Sequence, residues 1–570
     1  MTHHYVVLHG GTVLTLDGAR PSDAATRALG RGDLPDAAGR RATAICYAHD
    51  RILAVGTDAE VLALAGRDTL VVDLRGRCVV PGFVDPHAHP LWEGVSAARP
   101  SLVGTPDLAS ALRALAGHAA CLEVDAWLVA RYDHGPWPEA RHPTRGELDR
   151  AVPDRPVVLV HRSGHAVTAN SLALALAGID PPGPAAGDRA AGDRAALVER
   201  DGDGSPTGIL SGSDAWGCFA GALPPLGRDQ AADALRLAGR ALAADGVTAV
   251  TDADLGATAP LAVELAAYAA AVTSGTLPQR VAVLPGLVRL APAVDIPPPS
   301  PAEWAAGIPG TARGRLGPAG TKLYADGALT TRDAWLAAPY ADDPAGAGHP
   351  AADPAELAER IRRAAAAGWV VATHAIGDAA IDAALAAYAM TPPPPATRHR
   401  LEHAMLLAPV QVEAVARAGV ATVVQPEFVA WAGDVYRARL GDARASRILP
   451  YAELLAAGVP LAFSSDRPVV AGSPLAGIRA AIRLAGPSGR RLSDAPAPSV
   501  AEALHAWTAA GAGLMGVGDE AGRLAPGYPA DLVILSGDPT AVPADAWASG
   551  EDAIEIVATL IAGHVVFGAL

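Results

Sequence analysis

Apolar positions at the start of the chain come in short bursts. YVVLHGGTVLTLDG (5–18), ATAICYAHDRILAVG (42–56) and TLVVDLRGRCVVPG (69–82) carry β-branched residues between Gly or Asp turns, a pattern that predicts short strands. The same texture returns in ADLVILSGDP (530–539) and EIVATLIAGHVVFG (555–568). Two separated β-rich ends predict one composite β-sandwich domain, residues 1–80 plus 525–570.

Between the ends, apolar runs alternate with Ala/Leu-rich helical stretches. Eight strands are predicted: GFVDPHAH (82–89), GVTAVTDAD (246–254), RVAVLPGLV (280–288), GTKLYADG (320–327), WVVATHAIGD (369–378), RHRLEHAM (398–405), ATVVQPEF (421–428) and PLAFSSDRP (460–468). Helical patterns such as PAELAERIRRAAAAG and SRILPYAELLAAG fill most gaps, so the fold class is α/β, a (β/α)8 TIM-like barrel spanning 81–524. The gap after the first strand is too long for one crossover, and residues 91–240 are read as an inserted subdomain. Within it GDRAAGDRAA (187–196) repeats five residues directly between Gly/Pro-rich flanks, which predicts a polar loop.

Composition narrows the function classes. A net charge of −15 without a basic stripe argues against a nucleic-acid partner. Segments such as LAVELAAYAAAV (261–272) are too short to span a bilayer, and the first residues lack the pattern of a secretion signal, so the expectation is a cytoplasmic protein with no membrane partner. Cys46, Cys78, Cys121 and Cys218 form no CxxC pair and are expected to be reduced core residues.

One residue changes the picture more than any total. Lys322 is the single lysine among 45 Lys and Arg residues, so arginine serves at every other cationic position. Only a primary amine can act as a nucleophile, form a Schiff base or be carboxylated to a carbamate. The active face of such a barrel lies at the C-terminal strand ends. The first strand ends in Asp85-Pro86-His87-Ala88-His89, whose two histidines, two apart, point the same way and can share one ion. Strand four ends near Lys322, strand five at His374, strand six at His403 and strand eight at Asp466. Singly, each has an ordinary alternative: a rim histidine, or an Asp that caps a helix. Their common position at consecutive strand ends points to one site.

This order resembles the amidohydrolase superfamily. The phrases VVPGFVDPHAHP, GTKLYADGALTTR, THAIGDAAID, RHRLEHAM, SSDRPV and GRLAPGYPADLVIL are similar to its third amidohydrolase family, the branch that includes N-substituted formamide deformylase. The resemblance implies two divalent ions, zinc by preference, bridged by carboxylated Lys322, with His87 and His89 on one and His374 and His403 on the other. Asp466 would be both a ligand and the proton shuttle for a metal-activated hydroxide attacking a small-molecule amide. A homodimer is compatible with the family. HRSGHAVTAN (161–170) resembles its Gly-His phrase, with Ser163 where relatives carry an acid, so His165 is a candidate catalytic contact. ARYDHGPW stands where relatives carry Gly-Trp-Asp, with Tyr132 in place of Trp. Asp326 and Gly327 are read as shaping a turn, Arg332 as a contact to a polar substrate group, and Gln425 and Trp431 as pocket residues after strand seven. The same hydroxide would serve cyclic amides, ureas, carbamates or a deaminated heterocycle. A non-catalytic binding protein would lack a ligand, and none is missing; a Schiff-base aldolase would leave four histidines without a role.

Overall fold

The chain is described by a computed structural model covering residues 5–17, 39–123, 126–135, 137–179, 198–212, 215–219, 221–394 and 397–570. The repeated GDRAAGDRAA stretch lies outside these residues.

All eight predicted core strands form, and every neighbour in their ladders is parallel. One sheet orders Leu316–Pro318, Arg280–Pro285, Val247–Leu255 and Phe83–Ala88; a second orders Thr321–Tyr324, Val371–Ala375, Arg400–His403, Ala421–Val424 and Leu461–Phe463. Leu316–Pro318 is a ninth strand, too short to leave a period in the sequence. A parallel bridge between Gly286 and Lys322 joins the sheets on one side. On the other, Asp466 N donates to His87 O at 2.8 Å and His89 N to Arg467 O at 2.9 Å. The strands are buried throughout, as expected where helices cover parallel sheets.

The helix Pro90–Ala97 leaves the first strand and lies against Arg228–Ala244. The latter buries Ala231, Ala234, Leu235, Ala238 and Leu242, the 3.6-residue stripe of a helix with one apolar face. Contact is so close that a Cβ on Gly94 would sit 1.8 Å from the Ala234 carbonyl oxygen.

Strands from both ends of the chain share one sheet. The six-stranded sheet runs His564–Gly568, Ile556–Ile561, Leu532–Leu535, Cys78–Pro81, Thr12–Leu14, Arg41–Ala42, and Val79 pairs with Ile534 across it. A four-stranded sheet contains Arg51–Gly56, Ala44–Ala48, Tyr5–His9 and Thr69–Asp73. One buried cluster, with Leu8, Val13, Ile45, Val79, Ile534 and Leu560, draws on both.

The long insertion holds a five-stranded sheet of its own, ordered Val198–Arg200, Pro206–Ser211, Ala166–Ala169, Val157–His161 and Leu128–Tyr132. Cys46, Cys78 and Cys218 are buried, but Cys121 is exposed: it follows the last turn of the helix Leu108–Ala119, beyond that helix's buried face. Among the described residues no helix is long and apolar enough to cross a membrane.

Candidate metal centre

Alternation along the strands selects which side chains meet. Lys322 registers with Ala372, and Tyr324 with His374, which registers with Glu402. With side chains alternating, Lys322, Tyr324, His374, Arg400 and Glu402 share one face, while the ladder of the first strand shifts register between Asp85 and Ala88 and His89 lies just beyond its end. His403 would fall on the opposite face. Its backbone is left-handed, φ 73°, which breaks the alternation and turns the imidazole to the same interior as Glu402. Asp466, beyond Leu461–Phe463, is also left-handed at φ 54°.

His87, His403 and Asp466 bring one potential ligand atom each within 4.8 Å of one another. His89 Nε2 lies 3.1 Å from Asp466 Oδ1, and Lys322 Nζ 3.4 Å from His87 Nε2. The His374 and His403 rings are 4.5 Å apart, and those of His403 and His87 4.9 Å.

Three of these imidazoles have one nitrogen committed. His87 Nδ1 donates to Glu402, His374 Nε2 to the Gly327 carbonyl at 3.1 Å, and His403 Nδ1 to Gln425 Oε1 at 2.7 Å. Each acceptor keeps the proton on that nitrogen, leaving Nε2 of His87, Nδ1 of His374 and Nε2 of His403 as unprotonated donors. Glu402 is itself held by Arg400, whose Nη2 donates to Oε2 at 3.0 Å and to the Pro86 carbonyl at 2.7 Å. Asp85 accepts from the backbone N–H groups of His87 and Ser465, tying the first strand to the last.

Electrostatics agree with neutral imidazoles. Burial holds His87, His374 and His403 well below the usual histidine value, with neighbouring charges adding to it. Burial lowers His89 too, but its bond to Asp466 outweighs this and raises it. Burial alone would raise Asp466; His87, His89 and Lys322 around it turn the balance, and its carboxyl is lowered. Burial pushes the Lys322 ammonium down, against the pull of Glu402 and Asp466. Nitrogen, carboxylate and amine donors converging in a buried pocket form a set that can hold divalent ions.

The cavity beside this cluster is about 30 Å³, and its lining includes His165, Leu329, Met405, Phe428, Trp431 and Asp466. His165 Nδ1 is buried without a hydrogen-bond partner among the described residues, and its ring is 5.3 Å from His374. Of the weaker candidates, Ser163 and Trp431 line the cavity and Gln425 orients His403. Asp326 shapes the turn, accepting backbone N–H bonds from Trp335, Ile376 and Gly377. Arg332 does not face the cavity: it pairs with Asp342 at 3.0 Å, half exposed. Tyr132 is buried in the insertion, bonded to His142 and Thr168. Glu402, Arg400 and Asp85 were not foreseen, although the first two stand beside His403 in RHRLEHAM.

The profile of the amidohydrolase family matches residues 70–567. YtcJ of Bacillus subtilis is 32% identical over 515 residues, 88% of this chain and 91% of the relative. N-substituted formamide deformylase of Arthrobacter pascens is 30% identical over 527 residues, 88% of this chain and 92% of the relative. Among solved structures, an uncharacterized metal-dependent hydrolase from Pyrococcus horikoshii superposes with a TM-score of 0.69 at 24% identity, covering 95% of this chain and 99% of that one.

Proposed function

The chain belongs to the amidohydrolase family and is a hydrolase of carbon–nitrogen bonds other than peptide bonds, and from this premise we propose that it cleaves N-substituted formamides with the help of divalent metal. The observation that carries the reading is the convergence of His87, His89, Lys322, His374, His403 and Asp466, with three imidazoles already fixed as unprotonated donors. The deformylase relative supports the substrate class, and the narrow cavity supports a compact acyl group.

His87, His89 and Asp466 would hold one ion and His374 and His403 a second. The buried amine of Lys322, carboxylated, would add oxygen donors to this set, and zinc suits such a nitrogen and oxygen set best. When bound, the ions supply Lewis acidity, which acidifies a water and polarises a carbonyl. Asp466 takes the proton of the attacking water and returns it to the leaving nitrogen, which departs as an amine. The unpartnered Nδ1 of His165 is available to the substrate oxygen. Arg400 and Glu402 keep His87 in register.

On the same reading the two parallel sheets are arcs of one (β/α)8 barrel, residues 81–524 with 91–240 inserted. Residues 1–80 and 525–570 are a composite β-sandwich. Cys46 and Cys78, buried as thiols in the sheets of the chain ends, support a cytoplasmic location.

The test is formate release from N-alkyl and N-benzyl formamides by metal-loaded protein. Release that disappears in Asp466→Asn establishes the reaction. Silence across the panel with metal present rejects the formamide class.

A further inference from the structure

One wall of the cavity is Trp431, on the helix Glu427–Ala445. Its indole is gripped by two residues of the inserted segment. Trp431 Nε1 donates to Asp133 Oδ2 at 3.0 Å, and the Arg162 guanidinium lies over the ring, 4.6 Å from its centre. The grip is itself anchored. Arg162 Nη1 donates to the same Asp133 oxygen at 3.2 Å and Arg162 Nε to the Val469 carbonyl at 2.9 Å, while Gly135 N donates to Asp133 Oδ1 at 2.9 Å. Asp133 is buried, so losing a partner would strand a carboxylate away from water. Such a grip fixes a side chain that apolar packing alone would leave free to change rotamer.

What the grip limits is space. The cavity that Trp431 walls is only about 30 Å³. Phe428, its ring 6.0 Å from Trp431, and Leu329 complete an apolar wall. An apolar group beyond the scissile bond can enter only as far as Trp431 permits.

We propose that Trp431, positioned by Asp133 and Arg162, is the specificity-determining wall of this site, restricting the substrate to formamides with a small apolar N-substituent. Trp431 meets the substrate; Asp133 and Arg162 are positioning residues that act through it. The proposal rests on the formamide reading, and the experiment separates the two.

The ratio of kcat/KM for N-benzylformamide to that for N-methylformamide is compared in the wild type, Trp431→Ala, Asp133→Ala and the double variant. Trp431→Ala is expected to raise the ratio at least tenfold. Asp133→Ala should shift it the same way by less, and the double variant should match Trp431→Ala, because Asp133 has nothing left to position. An unchanged or lowered ratio in Trp431→Ala overturns the proposal, and additive effects in the double variant overturn the positioning role. In parallel, calorimetry on metal-loaded protein measures benzylphosphonate against methylphosphonate. A gain in relative benzylphosphonate affinity in Trp431→Ala, with no formate from any substrate, upholds the wall and rejects the formamide reading. No gain in either assay rejects the wall.

Discussion

Glu402 accepts the Nδ1 proton of His87 from the strand that also carries His403, and Arg400 fixes the far side of its carboxylate. One buried pair on one strand thereby sets the tautomer of a histidine on another. Glu402→Gln keeps the shape but removes the charge that favours the Nδ1 proton. Metal affinity is expected to fall about 10- to 100-fold, with the fold intact, in a chelator competition monitored alongside circular dichroism. Unchanged affinity would remove Glu402 from the centre's support.

Lys322 is the second point of test. Lys322→Ala and Lys322→Arg are both expected to lower bound metal, measured by elemental analysis after gel filtration. Arginine offers charge without a carbamate, so it should fare no better than alanine. Full metal content in either variant would refute a bridging role.

Acid should loosen the insertion before it protonates most carboxylates. His134, His142 and His161 cluster there, with ring centres 4.2, 5.0 and 5.6 Å apart. Burial lowers His134 to about 3 and holds His142 well below its usual value. The unfolded chain therefore takes up protons near the ordinary histidine value, about 6.5, that His134 and His142 refuse when folded. Their contribution to stability is complete above that value and lost as pH falls towards 3. In chelator-treated protein Tm should drop between pH 6.5 and 4, and His134→Phe should make the decline shallower; an equal slope in the variant would exclude this cluster as the cause.

The helix that leaves His89 has its own sensitivity. Gly94→Ala would drive a methyl into the Ala234 carbonyl, so Pro90–Ala97 must move away from Arg228–Ala244. The expected cost is about 1–3 kcal/mol by urea unfolding, with reduced metal content, because the helix begins directly after His89. A neutral effect would mean that this packing is slack.

The parallel strands were legible because each is a β-branched burst between Gly, Pro or Asp breaks, and the strand ends carried the chemistry with them. Three features were not. The insertion's sheet pairs Val167 with Leu210, across residues whose sequence has no strand pattern, and no local period reveals such a pairing. The helix Glu427–Ala445 contains Gly433 and Gly441, the latter at φ 72°, which blur its amphipathic pattern and with it the setting of Trp431. Glu402 and His403 both face inward only because His403 is left-handed; strict alternation allows one or the other. Periodicity finds the strands, and an irregular backbone at their ends decides which donors meet.

The pairing of Val79 with Ile534 also has a consequence in time. During synthesis Cys78–Pro81 leaves the ribosome long before Leu532–Leu535. At about 5–20 residues per second, the roughly 450 residues between them take about 20 to 90 s. For that interval one edge of Cys78–Pro81 has no partner strand, and the first helical layer must assemble beside an unfinished sheet. Pairing with Leu532–Leu535 is therefore the step that covers the open edge of Cys78–Pro81.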